Sequence, residues 1–357
     1  MKETQDIPKK RLLSLQLDLS RFERATDEEK AQYVQMRKAT TFFKDGMRKL
    51  FKNPLAVFSL IVLLLIVITI IFAPMIIPYG YEEMVTINGV RDKSAKNLKP
   101  FQYSKLEQEV MEQGDQVFPH IFGTDELCRD YFIRMIYGTR VSLLVGLFAS
   151  LIVLVIGLLY GSISGYAGGK VDLIMMRFVD IIYSLPDILM VILLSVVLDS
   201  VLGTALAGTV FERIGTNMIS LFIVFGFLYW VGMARLVRGQ ILSIKENEFV
   251  LAAKALGASP GRIIRKHALP NCMGVIFIST ALEIPTAIFT ESFLSFVGLG
   301  VQAPMPSLGS LASEARKGLQ SYSYKLVFPA IAICLIVLTF NLLGDGLRDA
   351  FDPKLRR

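Results

Sequence analysis

The sequence predicts an all-α polytopic membrane protein: six transmembrane helices, an in-plane helix ahead of the first, and a helical cytoplasmic loop between the fourth and fifth. Three observations carry this. Several nearly charge-free runs of about 20 residues or more are each long enough to cross a hydrocarbon core at about 1.5 Å per residue. Of 357 residues, 53% are hydrophobic and mean hydropathy is +0.52, a poor fit to a soluble globular chain. Lys and Arg are also shared unevenly between successive polar segments, which sets an orientation. The net charge of +7 is explained by that placement, and no nucleic-acid partner is implied. Trp230 is the only tryptophan, so any interfacial belt is mostly Tyr and Phe. Cys128, Cys272 and Cys334 have no partners at metal-ligand spacing, and a disulfide framework is not expected.

Residues 1–53 form a polar cytoplasmic tail with 13 Lys/Arg against 8 Asp/Glu. Its last part, Arg37 to Lys52, gathers Phe42, Phe43, Met47, Leu50 and Phe51 on one helical face and leaves Lys44, Arg48 and Lys49 to reach head groups. This reads as an in-plane elbow helix, with a packed soluble helix as the alternative. Residues 54–78 hold the first span, which has no charge from Leu55 to Ile77. Residues 79–139 follow with 7 Lys/Arg against 10 Asp/Glu. Lys44, Arg48, Lys49 and Lys52 precede the first span and no Lys or Arg occurs in 78–90, so the tail is inside and this loop outside. The opening is not a cleaved signal peptide.

The core, 140–347, holds the other five spans. The second runs from about Val141 to Tyr166 and is rich in small residues suited to close helix packing. Gly168-Gly169-Lys170 makes a tight turn. The third, about Leu173 to Leu198, contains Arg177, Asp180, Pro186 and Asp187. Arg177 and Asp180 are spaced to pair. Asp187 lies deeper and must face protein or water, in a pathway or as a structural hydrogen-bonding group. A short external loop, about Asp199 to Thr216, leads to the fourth span, about Asn217 to Ala234. The fifth, about Met273 to Val297, holds Glu283 and Glu291, eight apart on nearly one face. They can line a polar lumen or satisfy backbone groups freed at Pro285. Segment 298–323 is external by parity, and Pro306 and Ser307 can start a short helix in it. The sixth span is about Lys325 to Leu343, and 348–357 is a cytoplasmic tail.

Loop 243–270 is the most informative stretch. From Arg235 to Pro270 there are seven Lys/Arg against Glu246 and Glu248, again marking the inside. Asn247 can cap a first short helix beginning at Glu248, and Gly257 ends it. Ser259-Pro260 then reads as a second cap followed by proline at the first helical position. Pro270 disfavours helical geometry at Leu269, so the second helix is expected to stop there. Ala252, Ala253 and Gly257 keep side chains small where another surface can approach. An interfacial helix pair with no partner would carry the same spacing.

That spacing (Ala252-Ala253, three residues, Gly257, nine residues, His267, then Leu269-Pro270) resembles the EAA loop of ABC-importer permeases. Leu251 stands where the family has Glu, and His267 where it has Ile. Both departures resemble the oligopeptide/dipeptide (OppC/DppC-type) branch, whose members carry AAxALGAS and then RHxLPN. FGTDELCRDYFIRMIYGTRVSL, with Gly123, Thr124, Asp125, Arg129 and Asp130, resembles that branch's signature at the second span. Cys128 replaces its usual Gly, which puts the local conformation in question if positive φ is needed there. Residues 298–320 resemble its external scoop segment, with Leu308 in place of Trp.

The resemblance implies a type I ABC importer permease fold and a peptide-import permease. Glu248, Ala252, Ala253, Gly257, Ala258, Ser259, Arg262, Arg265, His267, Leu269 and Pro270 would form the coupling surface for a cytoplasmic ATPase. The implied partners are a homologous second permease, two ATPases, which would hold ATP and magnesium, and an extracytoplasmic peptide-binding protein. The chain itself carries no motor: no P-loop occurs, since Ser164 stands where its first Gly is needed before Gly169-Lys170. No HExxH motif, CxxC pair or nucleophile triad is present, so no cofactor, metal or enzymatic activity is expected. Three alternatives remain: a nickel or other small-solute permease of the same architecture, an ion-coupled carrier using Asp187, Glu283 and Glu291, and a membrane scaffold or sensor that moves no solute.

Overall fold

The computed structural model describes residues 42–205, 215–301 and 303–351. The chain divides into two units, Met1–Lys44 and Asp45–Arg357. Of the first, only Phe42–Lys44 are described. The expectations for residues 1–41, for most of the loop before Thr216 and for the tail after Phe351 lie outside the described residues. Most of what is described is helical, the main exception being the segment 77–130.

Helix α1, Phe42–Leu50, turns its buried Leu50 toward Ala56 and Ala350, with Met47, Leu347 and Phe351 packed beside them. Asn53 then caps α2, Pro54–Ile76, accepting the amides of Leu55 and Ala56, and Pro54 occupies a first-turn position that needs no donor. Most of α2 is exposed apolar surface, as a lipid-facing span requires. It packs on the long helices that begin at Tyr131 and at Tyr324.

A small lobe follows. Strands β1, Thr86–Ile87, and β2, Val90–Arg91, form an antiparallel hairpin. Asn88 and Gly89 both take positive φ at its turn, the pattern that matches strand twist. Helix α3, Lys105–Glu112, opens on a reciprocal capping box between Ser104 and Glu107.

Helix α4, Tyr131–Ala167, is 37 residues long and begins ten residues before the expected second span. Hydropathy locates only its apolar middle. The preceding turns carry Arg134 and Arg140 but are extended by the Asp130 cap, which accepts the Ile133 amide. Its glycines explain its packing on α8. A Cβ on Gly161 would sit 2.4 Å from the Ala234 carbonyl oxygen, and one on Gly157 would sit 2.6 Å from Met233.

The expected straight third span is two helices, α5, Gly169–Tyr183, and α6, Asp187–Ala205, bent by 84°. Pro186 supplies no amide hydrogen and bars helical geometry at Leu185, so the chain turns there. Asp187 therefore starts a helix instead of lying within one. The fourth span runs from α7, Thr216–Val224, through a π turn at Phe225–Tyr229 into α8, Trp230–Lys245. It passes Arg235 and Arg238, where it was expected to close, because both find acidic partners on α5.

Helices α9, Glu248–Ala255, and α10, Pro260–Ile263, form the loop pair. The second does not stop at Leu269. Pro260–Val297 is continuous, passing through a π turn at Ile264–Ala268 into α11, Leu269–Val297. The Leu269 amide donates to the Ile264 carbonyl, five residues back, which widens the turn ahead of Pro270 so that its ring displaces no carbonyl. The Asn271 side-chain amide donates to the His267 carbonyl at 2.6 Å, adding a side-chain bond beside the π turn. Helix α12, Leu308–Arg316, starts at the Ser307 cap, and α13, Tyr324–Phe351, completes the bundle. Among the described residues five helices pass as membrane spans by length and composition, and the count rises to six when the bent α5–α6 pair is taken as one span.

Gly161→Leu should lower the melting temperature of the detergent-solubilised chain, with overpacking costing roughly 1–3 kcal/mol. Gly239→Ala has open space around its new Cβ and should be neutral or slightly stabilising. Equal effects of the two changes would show that the α4–α8 approach is not steric.

Candidate functional site

The loop pair is a rigid knuckle at the end of the bundle. Gly257 has φ +81° and ends α9 in a Schellman motif. The Ala258 amide donates to the Ala253 carbonyl, and the Gly257 amide donates to the Lys254 carbonyl. No atom lies within 4 Å of a Cβ built on Gly257, so glycine is required there for its backbone and not for space. Ala253 and Ala258 are the two ends of the motif. Asn247 and Ser259 stand at the helix starts, but neither side chain makes a cap bond. Buried Val250 and Ile263 pin the pair to Val237, Ile241 and Ile244 of α8 and to Ala268, Cys272 and Ile276, and Leu269 packs against the same cluster.

Its outer surface is apolar at the tip and basic on one flank. Leu256 is 88% exposed, with Leu251 and Phe249 also exposed beside Glu248 and Ala252. Ser259, Arg262, Arg265 and Lys266 line a shallow concavity. His267 is half-buried and Pro270 is exposed. Below the knuckle, Arg238 grips Asp172 with two bonds of 2.5 Å, and Ser164 donates to the same carboxylate. Arg235 donates to Asp180 at 2.8 Å and lies over the Tyr183 ring. The expected Arg177–Asp180 pair is looser, at 3.9 Å. Helix α8, which carries the knuckle, is thereby tied to the α4–α5 turn.

The glycine–threonine–aspartate signature lies at the other end of α4 and is structural in its contacts. A Cβ on Gly123, at φ +76°, would meet the Leu98 carbonyl oxygen at 2.1 Å. Thr124 donates to the Ala95 carbonyl and accepts from the Leu98 amide at 2.9 Å. Asp125 accepts from the amides of Leu127 and Arg129 and from the Arg129 and Arg134 guanidinium groups. Arg134 continues to Glu314 of α12 at 2.7 Å. Cys128 does take positive φ, +60°, while its side chain is buried with Val85, Ala95 and Leu98. The thiol thus occupies a glycine-like conformation at a cost of about 1 kcal/mol.

The three carboxylates read as pathway candidates do not share one environment. Glu291 is wholly buried and accepts hydrogen bonds from Ser142 and Ser295, each at 2.7 Å. Asp187 is exposed at the start of α6, accepting from the Ile188 amide, and it lines a cavity at the α5–α6 break. Glu283 is half-buried. The Tyr229 hydroxyl lies 3.3 Å from that of Thr290.

Comparison with known proteins identifies this architecture. The profile of the family described as "Binding-protein-dependent transport system inner membrane component" matches residues 157–357. The N-terminal TM domain of oligopeptide transport permease C matches residues 41–100. The chain belongs to this permease family. It is 41% identical over 321 residues to a Bacillus subtilis oligopeptide transport system permease protein, covering 90% of this chain and 92% of that one. It is 43% identical over 322 residues to the dipeptide counterpart from the same organism, covering 90% and 88%. An oligopeptide permease of Haemophilus influenzae is 42% identical over 316 residues, covering 88% and 90%. The family resemblance read from the loop and signature motifs is thus borne out.

Sequence reasoning missed a deeply buried polar cluster centred on His120. His120 is fully buried, with Nδ1 2.7 Å from Asp130 and Nε2 2.9 Å from Glu107, and it stacks on Tyr79. Its partners lie 10 and 13 residues away in sequence, at no recognisable spacing. Burial alone would lower its pKa, but the hydrogen bonds and charges of Asp130 and Glu107 outweigh burial and push it up to about 9. The folded value is above the unfolded one of about 6.5. The imidazolium therefore contributes its full stability below about pH 6.5 and loses it as pH rises through about 9. Hydrogen exchange of residues 98–130 should accelerate between pH 7 and 10 beyond its intrinsic dependence, and His120→Ala should abolish the excess. A flat corrected profile would show that the cluster does not hold the lobe.

Proposed function

We propose that this permease imports short peptides across the cell membrane as one of two homologous permease subunits. Two cytoplasmic ATPases, which bind ATP and magnesium, would drive it, and an extracytoplasmic peptide-binding protein would feed it. The termini and the knuckle face the cytoplasm; the lobe and α12 face outward. α1 lies in the membrane plane. The observation that carries this reading is the knuckle: Phe249, Leu251 and Leu256 stand exposed on a helix whose end is fixed by Gly257 and whose underside is anchored by Val250 and Ile263. A bare apolar tip on a rigid mount suits docking into a groove. The peptide class is supported by the names of relatives more than 40% identical along nearly the whole chain.

The mechanism is alternating access. ATPase closure displaces the knuckle, and the anchoring clusters pass the displacement to α8 and to the continuous α10–α11 helix. Asp187 and Glu283 are the pathway candidates, while Glu291 in its serine cage holds α4 against α11. The chain contributes no catalytic group and holds no metal or nucleotide.

Gly257→Trp forces a non-glycine residue into positive φ and places an indole on the docking face. Membrane insertion should be normal, while ATP-dependent uptake of a labelled peptide and co-purification of the ATPases should both be lost. Normal uptake would sink the docking assignment. Uptake by the permease pair alone in liposomes under a proton or sodium gradient would favour an ion-coupled carrier instead.

A further inference from the structure

A cavity of about 290 Å³ opens at the lobe end, between the signature loop, α12 and the start of α13. Two cations in its wall are more than nine-tenths buried: Arg129, 8% exposed, and Lys325, 6% exposed. Neither uses all its donors. Arg129 donates through Nε to Asp125 at 2.7 Å. Its nearest Nη contact is Glu314 at 3.8 Å, beyond hydrogen-bonding distance. Lys325 donates to Asn97 Oδ1 at 2.6 Å and sits 4.8 Å from the Tyr322 ring centroid, which leaves ammonium hydrogens unassigned.

Charge points the same way. Asp125 is taken up by Arg129 and Arg134, and Glu314 by Arg134. Among the described residues Lys325 has no carboxylate within ion-pair distance, although Asp125 and Glu126 act on it from farther off. A buried ammonium without a counter-ion is costly, and an anion in the cavity would remove that cost. A single inorganic ion would leave most of the space empty. Tyr322 offers an aromatic wall, and Glu126, which has no assigned hydrogen bond among the described residues, offers an acceptor for a positive group.

We propose that this cavity binds a small zwitterion, a short peptide or free amino acid, with its carboxylate held by Lys325 and Arg129 and its ammonium turned toward Glu126. The Arg129 fork and the Lys325 point charge are suited to a planar carboxylate. The site rests on the functional reading only in that the lobe end faces the compartment from which the solute arrives.

The test is binding of dialanine to the full permease in nanodiscs without ATP, followed by titration calorimetry or saturation-transfer NMR. Dialanine should bind saturably. Its C-terminal amide should bind at least about tenfold more weakly, the scale of one lost charge-assisted hydrogen bond. Lys325→Met should show the same loss, and Lys325→Arg should restore binding. No saturable binding, equal binding of acid and amide, or full binding by a folded Lys325→Met protein would each overturn the proposal. If Lys325→Met fails to fold, the acid–amide comparison on the unaltered chain decides alone. ATP-driven uptake is measured separately, so loss of this site with uptake intact would remove the cavity's role and leave the transport reading standing.

Discussion

Pro270 has no amide hydrogen to give, and in hydrocarbon or at its edge an unfilled carbonyl is expensive. Everything at the knuckle end depends on how the chain meets that constraint. The π turn at Ile264–Ala268 lengthens the hydrogen-bond reach by one residue, Asn271 donates to the His267 carbonyl, and the helix passes through unbroken. Continuity joins α10 to α11 in a single helix, and the buried pair Val250 and Ile263 packs the loop against α8. The same constraint has the opposite outcome at Pro186, where no compensating turn forms and α5 and α6 part at 84°.

The two ends of the bundle are stabilised differently. The lobe end is knitted by buried charge: Asp125 joins Arg129 and Arg134, Arg134 joins Glu314, and His120 lies between Glu107 and Asp130. Removing one member of such a network strands the others, which is more costly than the net worth of the pair. The knuckle end is held by apolar packing with a few cross-links, Arg238 to Asp172 and Arg235 to Asp180, at partly exposed sites. This second kind of attachment leaves no buried charge to be uncovered by a shift of the knuckle, as the proposed coupling would require.

Much of this was legible in the sequence, and the misses have physical causes. Apolar runs located the spans but not the break at Pro186 in the middle of the third, nor the helix ends: α4 and α8 both run past the hydrocarbon-like stretch, because capping and ion pairing extend a helix where hydropathy falls silent. The loop pair was legible from Asn247, Gly257 and Ser259-Pro260, since turn chemistry is local. The stop at Leu269 was not, because a π turn has no signature beyond the proline it accommodates. Glu283 and Glu291, eight apart, pointed to a shared face, but Ser142, which accounts for Glu291, lies 149 residues away. Cys128 was flagged by its departure from a glycine pattern, and its positive φ gives that flag its meaning. His120 and Lys325 were invisible as site residues because their surroundings are assembled by tertiary contact alone.

The length of α4 has one more consequence. At 37 residues it spans about 55 Å, against a hydrocarbon layer of about 30 Å. Its first ten residues, with Arg134 and Arg140 among them, act as a mast projecting beyond the lipid tails. The lobe sits at that end of α4, so its hairpin and its histidine clasp stand well away from the apolar middle of the helix.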